Sequence, residues 1–274
     1  MKYSVGFLGL LAASLFAAGF AIRQPPKAAE PRAVEDPARS GVPVVVELFT
    51  SEGCSSCPPA EALLAKLEQQ QPVANAQILA LEEHVDYWNN LGWTDPFSAK
   101  QWTARQEEYA ASLGNRNVYT PQMVVHGQTE GVGSREQQAR QAIERARARA
   151  RTEVWLTLRQ PENKGREQFV VSVGKITGNQ AGDAAQIWLA ITEAGLHSNV
   201  TRGENAGEDL HHASVVRALD EVGVADQSKE ISFSGDFSVA LDSSWNRQNL
   251  RAVAFVEERK SRHILGAAAV RIEP

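Results

Sequence analysis

Cys54 and Cys57 are the only two cysteines in the chain, so each can pair only with the other or with a group outside the molecule. Ser55 and Ser56 alone separate them. Closing so short a loop removes little chain entropy, which weighs against a purely structural staple and in favour of chemistry at sulfur. Reversible thiol–disulfide exchange with protein or small-molecule thiols is the first expectation. Cys54 would be the exposed attacker and Cys57 the buried resolver. Two thiolates make half of a tetrahedral zinc site, and no second cysteine pair completes one. Copper(I) needs fewer soft ligands and is the alternative, although Met123 is the only methionine besides Met1. A third class is a non-enzymatic binding module whose cysteine pair only stiffens a helix start. No organic cofactor and no resident metal are expected.

The elements around the pair follow from periodicity. Residues 42–49 form an apolar, β-branched run that reads as a buried strand. From Pro58 to about Gln71 the apolar residues recur at helical spacing, with Pro59 expected either to kink the helix or to have the helix proper start near Ser56. The cysteines therefore sit where a strand hands over to a helix N-terminus, whose partial positive charge favours thiolate. Residues 76–81 give a second strand and 97–113 a helix, with 122–125 and 129–132 as a hairpin. Ser134 is expected to cap a helix over 135–151, with Gln137 completing a capping box. A helix between the first two strands makes them parallel. Beyond Glu153 the texture becomes short strand-like runs between turn clusters, which predicts an antiparallel, sandwich-like all-β domain over 153–274.

Several polar residues stand out against this frame. Glu47 is a lone acid in an otherwise apolar strand, suited either to a general base with a raised pKa or to an ion pair at a strand edge. His84, Asp86, Tyr87 and Trp88 follow the second strand, where sites gather in open α/β sheets. His84 could depress a thiol pKa or ligate a metal; alternatively the group is a packed loop. His126 reads as a surface turn. The glycine-shaped stretch 202–207, with Glu204 and Asn205, precedes His211 and His212; Glu204, Asp209, His211 and His212 form either a metal set or a hydrogen-bonded loop packed on the first domain. The alternation of Arg and Ala over 145–151 is a solvated helix face. A net charge of −5 gives no reason to expect nucleic acid as a partner.

The order of elements, the Cys-x-x-Cys at the first strand-to-helix turn and the Thr120-Pro121 step before the third strand resemble the thioredoxin fold. More closely, the stretches 47–60, 84–88 and 119–122 resemble an uncharacterised bacterial family, a secreted domain of unknown function with a thioredoxin-like α/β core and a β-rich C-terminal domain. The resemblance implies a cis Thr120–Pro121 bond facing the cysteines, with Thr120 and Pro121 holding an extended substrate chain beside His84, Asp86 and Trp88. It also implies that Glu47 relays protons to Cys57, although its spacing from the first cysteine departs slightly from the thioredoxin pattern.

Residues 1–22 combine Lys2 with a long uncharged run. They read as a secretory signal, or as an uncleaved N-terminal membrane tether. Residues 23–41, rich in proline and charge, read as a linker. A periplasmic or secreted location is expected, with a thioredoxin-like domain over 42–152.

Overall fold

The computed structural model describes residues 1, 41–149, 151–160 and 165–272. The expected signal or tether and nearly all of the linker lie outside them. Among the described residues no helix is long and apolar enough to cross a membrane.

The molecule is mixed α/β. The first apolar run builds β1 (Val42–Thr50), buried from Val44 onward. Helix α1 (Pro58–Gln70) begins with its two prolines at the first helical positions. Backbone N–H groups there have no intrahelical acceptor, so Pro59 removes no helical bond. β2 (Ala76–His84) extends three residues beyond the apolar run, carrying Glu82, Glu83 and His84 into the strand. Helix α2 (Lys100–Leu113) stops at Gly114, whose φ of 74° is the left-handed conformation glycine takes without strain. β3 (Gln122–Val125) and β4 (Thr129–Val132) pair as a hairpin. Helix α3 (Glu136–Arg147) starts from Arg135 with no side-chain cap, so Ser134 does not play the expected role.

The later strands are β5 (Val154–Arg159), β6 (Arg166–Val173), β7 (Ala185–Glu193), β8 (Leu196–Asn199), β9 (Asp209–His212), β10 (Val215–Val224), β11 (Phe233–Ala240), β12 (Leu250–Glu258) and β13 (Ile264–Arg271). One sheet of eight strands runs β13-β12-β7-β10-β2-β1-β3-β4. β1 and β2 are parallel and in register from Val42 opposite Ala76 to Thr50 opposite His84. β10 joins β2 at Val215 opposite Glu82, and Glu82 N–H donates to Ser214 O at 2.8 Å. The sheet thus crosses residue 152 without a break. The three-stranded sheet β11-β6-β5 lays Leu156, Phe169, Val171 and Val173 against Ile187, Ile191, Ala252 and Val256 of the large sheet.

Alternation along β1 and β2 sorts their side chains onto two faces. Val44, Val46, Leu48, Ile78 and Ala80 pack beneath α1 and α3. Val45, Leu79 and Leu81 face the opposite side with Trp102 of α2, and Phe49 packs there with Tyr109.

Candidate functional site

Cys54 and Cys57 form a disulfide with Cα atoms 5.4 Å apart, and Cys57 is the N-cap of α1. Ser55 and Ser56 are exposed, yet both sulfur-bearing residues are fully buried. Cys54 is therefore not the solvent-facing residue expected from the motif alone. The cover comes from the chain near Asn205. Its side-chain amide donates to Glu52 O at 2.8 Å and to Cys54 O at 3.1 Å. The adjacent Glu204 carboxylate accepts from Ser55 N–H at 3.1 Å and Ser55 Oγ at 2.7 Å. Those two bonds hold the Glu204 carboxyl below the usual carboxylate range. Gly203, at φ 81°, lets this loop seat on Trp93: a Cβ there would stand 3.1 Å from Trp93 Cβ.

The Thr120–Pro121 bond is cis. Ala60 Cβ and Pro121 Cβ lie 2.9 and 3.3 Å from the point a Cβ on Gly133 would occupy, so the proline sits by the first turn of α1. Trp88 Nε1 donates to Thr120 Oγ1 at 2.8 Å, and Trp88 Cβ lies 3.1 Å from where a Cβ on Gly53 would be. Trp88, Thr120 and Pro121 are thus brought to the cysteine turn. Asp86 is not: its carboxylate accepts from Thr103 Oγ1 at 2.7 Å and braces the loop onto α2.

Glu47 is also drawn elsewhere. Leu48 Cδ1 lies 2.7 Å from the same point above Gly133, which places residue 48 on the α1 face. Residue 47 consequently points to the α2 face, because one residue along a strand reverses the side chain. There the Glu47 carboxylate accepts from Arg105 Nε at 2.6 Å and from Tyr109 OH. Glu83 and Glu257 share that buried site, and Arg105 Nη2 donates to Glu257 at 2.9 Å. Burial, opposed by Arg105 and reinforced by Glu47, raises the Glu257 carboxyl to about 7. The expected relay from Glu47 to Cys57 is replaced by an anchor for α2.

A second buried cluster lies on the α1 face, just below the Glu52–Cys54 turn. His84, fully buried at the end of β2, has Nδ1 2.7 Å from Asp95 Oδ2, which also accepts from Glu52 N–H at 2.8 Å. His212 has Nδ1 2.9 Å from Glu82 Oε1 and Nε2 3.1 Å from Glu52 Oε1. The rings of the two histidines are 4.7 Å apart. Burial disfavours imidazolium, but Asp95 and Glu82 overcome it and raise His84 well above the usual histidine range. Glu52 and Glu82 likewise outweigh burial to bring His212 to about 9. Burial pushes the Glu82 carboxyl up, but the hydrogen bond from His212 and the nearby charge of both histidines outweigh it and hold Glu82 below the carboxylate range.

The set Glu204, Asp209, His211 and His212 does not converge. Alternation in β9 turns His211 outward, 3.4 Å from Asp209, and sends His212 inward. His126 is not at the surface: it is fully buried, takes φ 54°, and its Nδ1 accepts from Val45 N–H at 3.3 Å. The reading of the 202–207 stretch as a hydrogen-bonded loop on the first domain matches the bonds of Glu204 and Asn205, whereas sequence reasoning missed Glu52, Glu61, Glu82 and Asp95. The polar triplet Glu82-Glu83-His84 ending an apolar strand was the signal that could have revealed part of this cluster.

Comparison with known proteins places these features in a family. A family model described as a protein of unknown function (DUF1223) matches residues 45–257. No curated protein matches the chain. The fold is similar to that of a protein from Agrobacterium tumefaciens solved by a structural genomics consortium. There the TM-score is 0.62 and the identity 24%, covering 86% of this chain and 96% of that one. It is also similar to HBP35 of Porphyromonas gingivalis, with TM-score 0.61 and 16% identity over 85% of this chain and 76% of that one.

Proposed function

The chain belongs to the DUF1223 family, and for it we propose an exported thiol–disulfide exchange protein in which Cys54–Cys57 is the working disulfide. The observation that carries the reading is the position of that disulfide, which closes the turn into α1 with Cys57 at the helix N-cap. A thiolate leaving from Cys57 would sit at the positive end of the α1 dipole, which lowers the energy of the charged sulfur. In the exchange step a substrate thiolate attacks Cys54 Sγ, the Cys54–Cys57 bond breaks, and Cys57 departs as thiolate. The product is a substrate–Cys54 mixed disulfide. Run in reverse, Cys57 thiolate attacks Cys54 Sγ and releases the substrate thiolate, so electrons balance in either direction.

On this reading residues 42–152 are a thioredoxin-like domain, supported by the order β1-α1-β2-α2-β3-β4-α3 with the cysteines at the first strand-to-helix turn. Residues 153–274 supply the cover over the site. Because both cysteines are buried, exchange requires Glu204 and Asn205 to release Ser55, Glu52 and Cys54, and the loop acts as a gate. Thr120 and Pro121 line the groove that opens, with Trp88 fixing Thr120. Glu47 takes no part, since Arg105 and Tyr109 engage its carboxylate. Export is supported by the signal-like composition of residues 1–22.

A Cys57→Ser variant offered glutathione disulfide tests the reading. Accumulation of one mixed disulfide on Cys54, seen by mass spectrometry of the folded chain, supports it. Absence of any adduct under conditions that modify the unfolded chain overturns it.

A further inference from the structure

Six ionisable side chains that the thiol chemistry does not use meet beneath the Glu52–Cys54 turn, and Glu52, Glu61, Glu82, His84, Asp95 and His212 are all buried. We propose that four of them, Glu61, Glu82, His84 and His212, ligate a divalent transition-metal ion of the zinc class in a closed structural site joining α1, β2 and β9.

The ligand atoms converge. Glu82 Oε1 lies 2.9 Å from His212 Nδ1 and 3.3 Å from His84 Nε2, and Glu61 Oε2 lies 3.8 Å from His212 Nδ1. One ligand atom from each of Glu82, His84 and His212 can be chosen so that all lie within 4.8 Å of one another. Bonds of about 2.0–2.1 Å to a tetrahedral zinc ion put neighbouring ligand atoms roughly 3.3 Å apart, close to the 2.9 and 3.3 Å that Glu82 Oε1 keeps from the two histidine nitrogens.

One atom makes the cluster difficult to explain as an ion-pair network alone. His84 Nε2 is buried and makes no hydrogen bond, even though Glu82 Oε1 is 3.3 Å away. As an imidazolium, His84 would bury an N–H without an aligned acceptor, which is costly. As a neutral imidazole it would present a lone pair into the cluster, which is what a metal ion takes.

The atoms not aimed inward are held in the manner of metal-site supports. Asp95 Oδ2 engages His84 Nδ1 at 2.7 Å, and Glu52 Oε1 engages His212 Nε2 at 3.1 Å. Glu52 Oε2 accepts from Trp93 Nε1 at 2.7 Å, Glu82 Oε2 from Ala213 N–H at 2.9 Å, and Glu61 Oε1 from Thr50 Oγ1 at 2.5 Å. Each histidine is thus clamped between a carboxylate and the cluster centre. Two nitrogen and two oxygen ligands suit zinc better than copper(I), which prefers sulfur. The ion would fasten the end of β9 to β2 and α1 and would not depend on the cysteines.

The test uses the full chain, stripped with a chelator and titrated with Zn²⁺ against a chromophoric competitor, with Co²⁺ in parallel. One ion per chain, a rise in melting temperature, and a cobalt spectrum with visible four-coordinate bands but no thiolate charge-transfer band support the site. The double variant Cys54→Ser, Cys57→Ser is expected to bind with unchanged affinity. His84→Ala is expected to weaken binding at least as much as the roughly 10- to 100-fold loss expected of Glu52→Gln, which only removes a supporting bond. No stoichiometric uptake by the wild-type chain, a thiolate band, or unchanged affinity in His84→Ala overturns it. Should a histidine variant not fold, the wild-type stoichiometry and cobalt spectrum decide.

Discussion

Replacing Asn205 with alanine tests the gate over the disulfide. The Asn205 amide donates to Glu52 O at 2.8 Å and Cys54 O at 3.1 Å. Cys54 O also accepts from Cys57 N–H at 3.1 Å, so the substitution chiefly strands Glu52 O, in a fully buried residue. A buried acceptor without a donor costs about 1–3 kcal/mol in the closed state, and that cost vanishes when the loop lifts and water reaches it. The open population of Asn205→Ala should therefore rise by about 5- to 150-fold. With opening fast relative to reduction, the pseudo-first-order rate of disulfide reduction by a phosphine should rise by the same factor. Alkylation quenching and mass spectrometry read that rate. It should be nearly independent of low urea in both proteins, since local opening exposes little surface. An unchanged rate in a folded Asn205→Ala protein, or a urea dependence matching global unfolding, would refute the gate.

Other predictions follow from the rest of the molecule. Glu47→Gln should leave the rate of exchange at Cys54 unchanged in the disulfide-trapping assay, because its partners are Arg105 and Tyr109; slowed resolution would restore it to the mechanism. Glu257 ionises near 4.5 when unfolded and near 7 when folded. Between those values the folded chain keeps a proton that the unfolded chain releases, so stability falls as pH rises through the window, by about 3 kcal/mol. Glu257→Gln should lessen the slope of the urea-unfolding free energy against pH there, and an unaltered slope would contradict the burial argument. A Cβ on Gly266 would stand 2.0 Å from Thr152 O. Gly266→Ala should accordingly lower stability by about 3 kcal/mol or more, and an unchanged denaturation midpoint would show that the two segments separate freely.

The parts of the fold carried by local periodicity were legible. The apolar runs of β1 and β2, the helical spacing of α1, and the β3–β4 turn each announce themselves within a dozen residues. β10 does not, because Arg217, Asp220 and Glu221 interrupt it and register shifts between Val216 and Ala218 and between Glu221 and Gly223 break its alternation. It is nevertheless the strand that attaches the later sheet to β2. The site divides the same way. The cysteines, Trp88 and the Thr120-Pro121 step could be read from motif and spacing. The loop that covers Cys54 was legible as one packed on the first domain, but not its seat over Cys54, since Asn205 lies 151 residues away in sequence. His212 meets Glu82 across 130 residues, so an apparently unpaired charge at the end of β2 has its partner in another half of the chain. Glu47 turned on one residue of spacing: the alternation of β1 sends its carboxylate to the α2 face, where Arg105 and Tyr109 engage it.

The redox equilibrium of Cys54 and Cys57 tests the central claim most directly. The full chain is equilibrated across glutathione and dithiothreitol buffers, quenched by alkylation, and counted by mass while circular dichroism follows the fold. The account predicts a single two-electron transition in which both thiols appear together, reverse on reoxidation, and leave the fold intact. A disulfide that yields thiols only after the chain is unfolded would make the pair a structural staple and contradict the account.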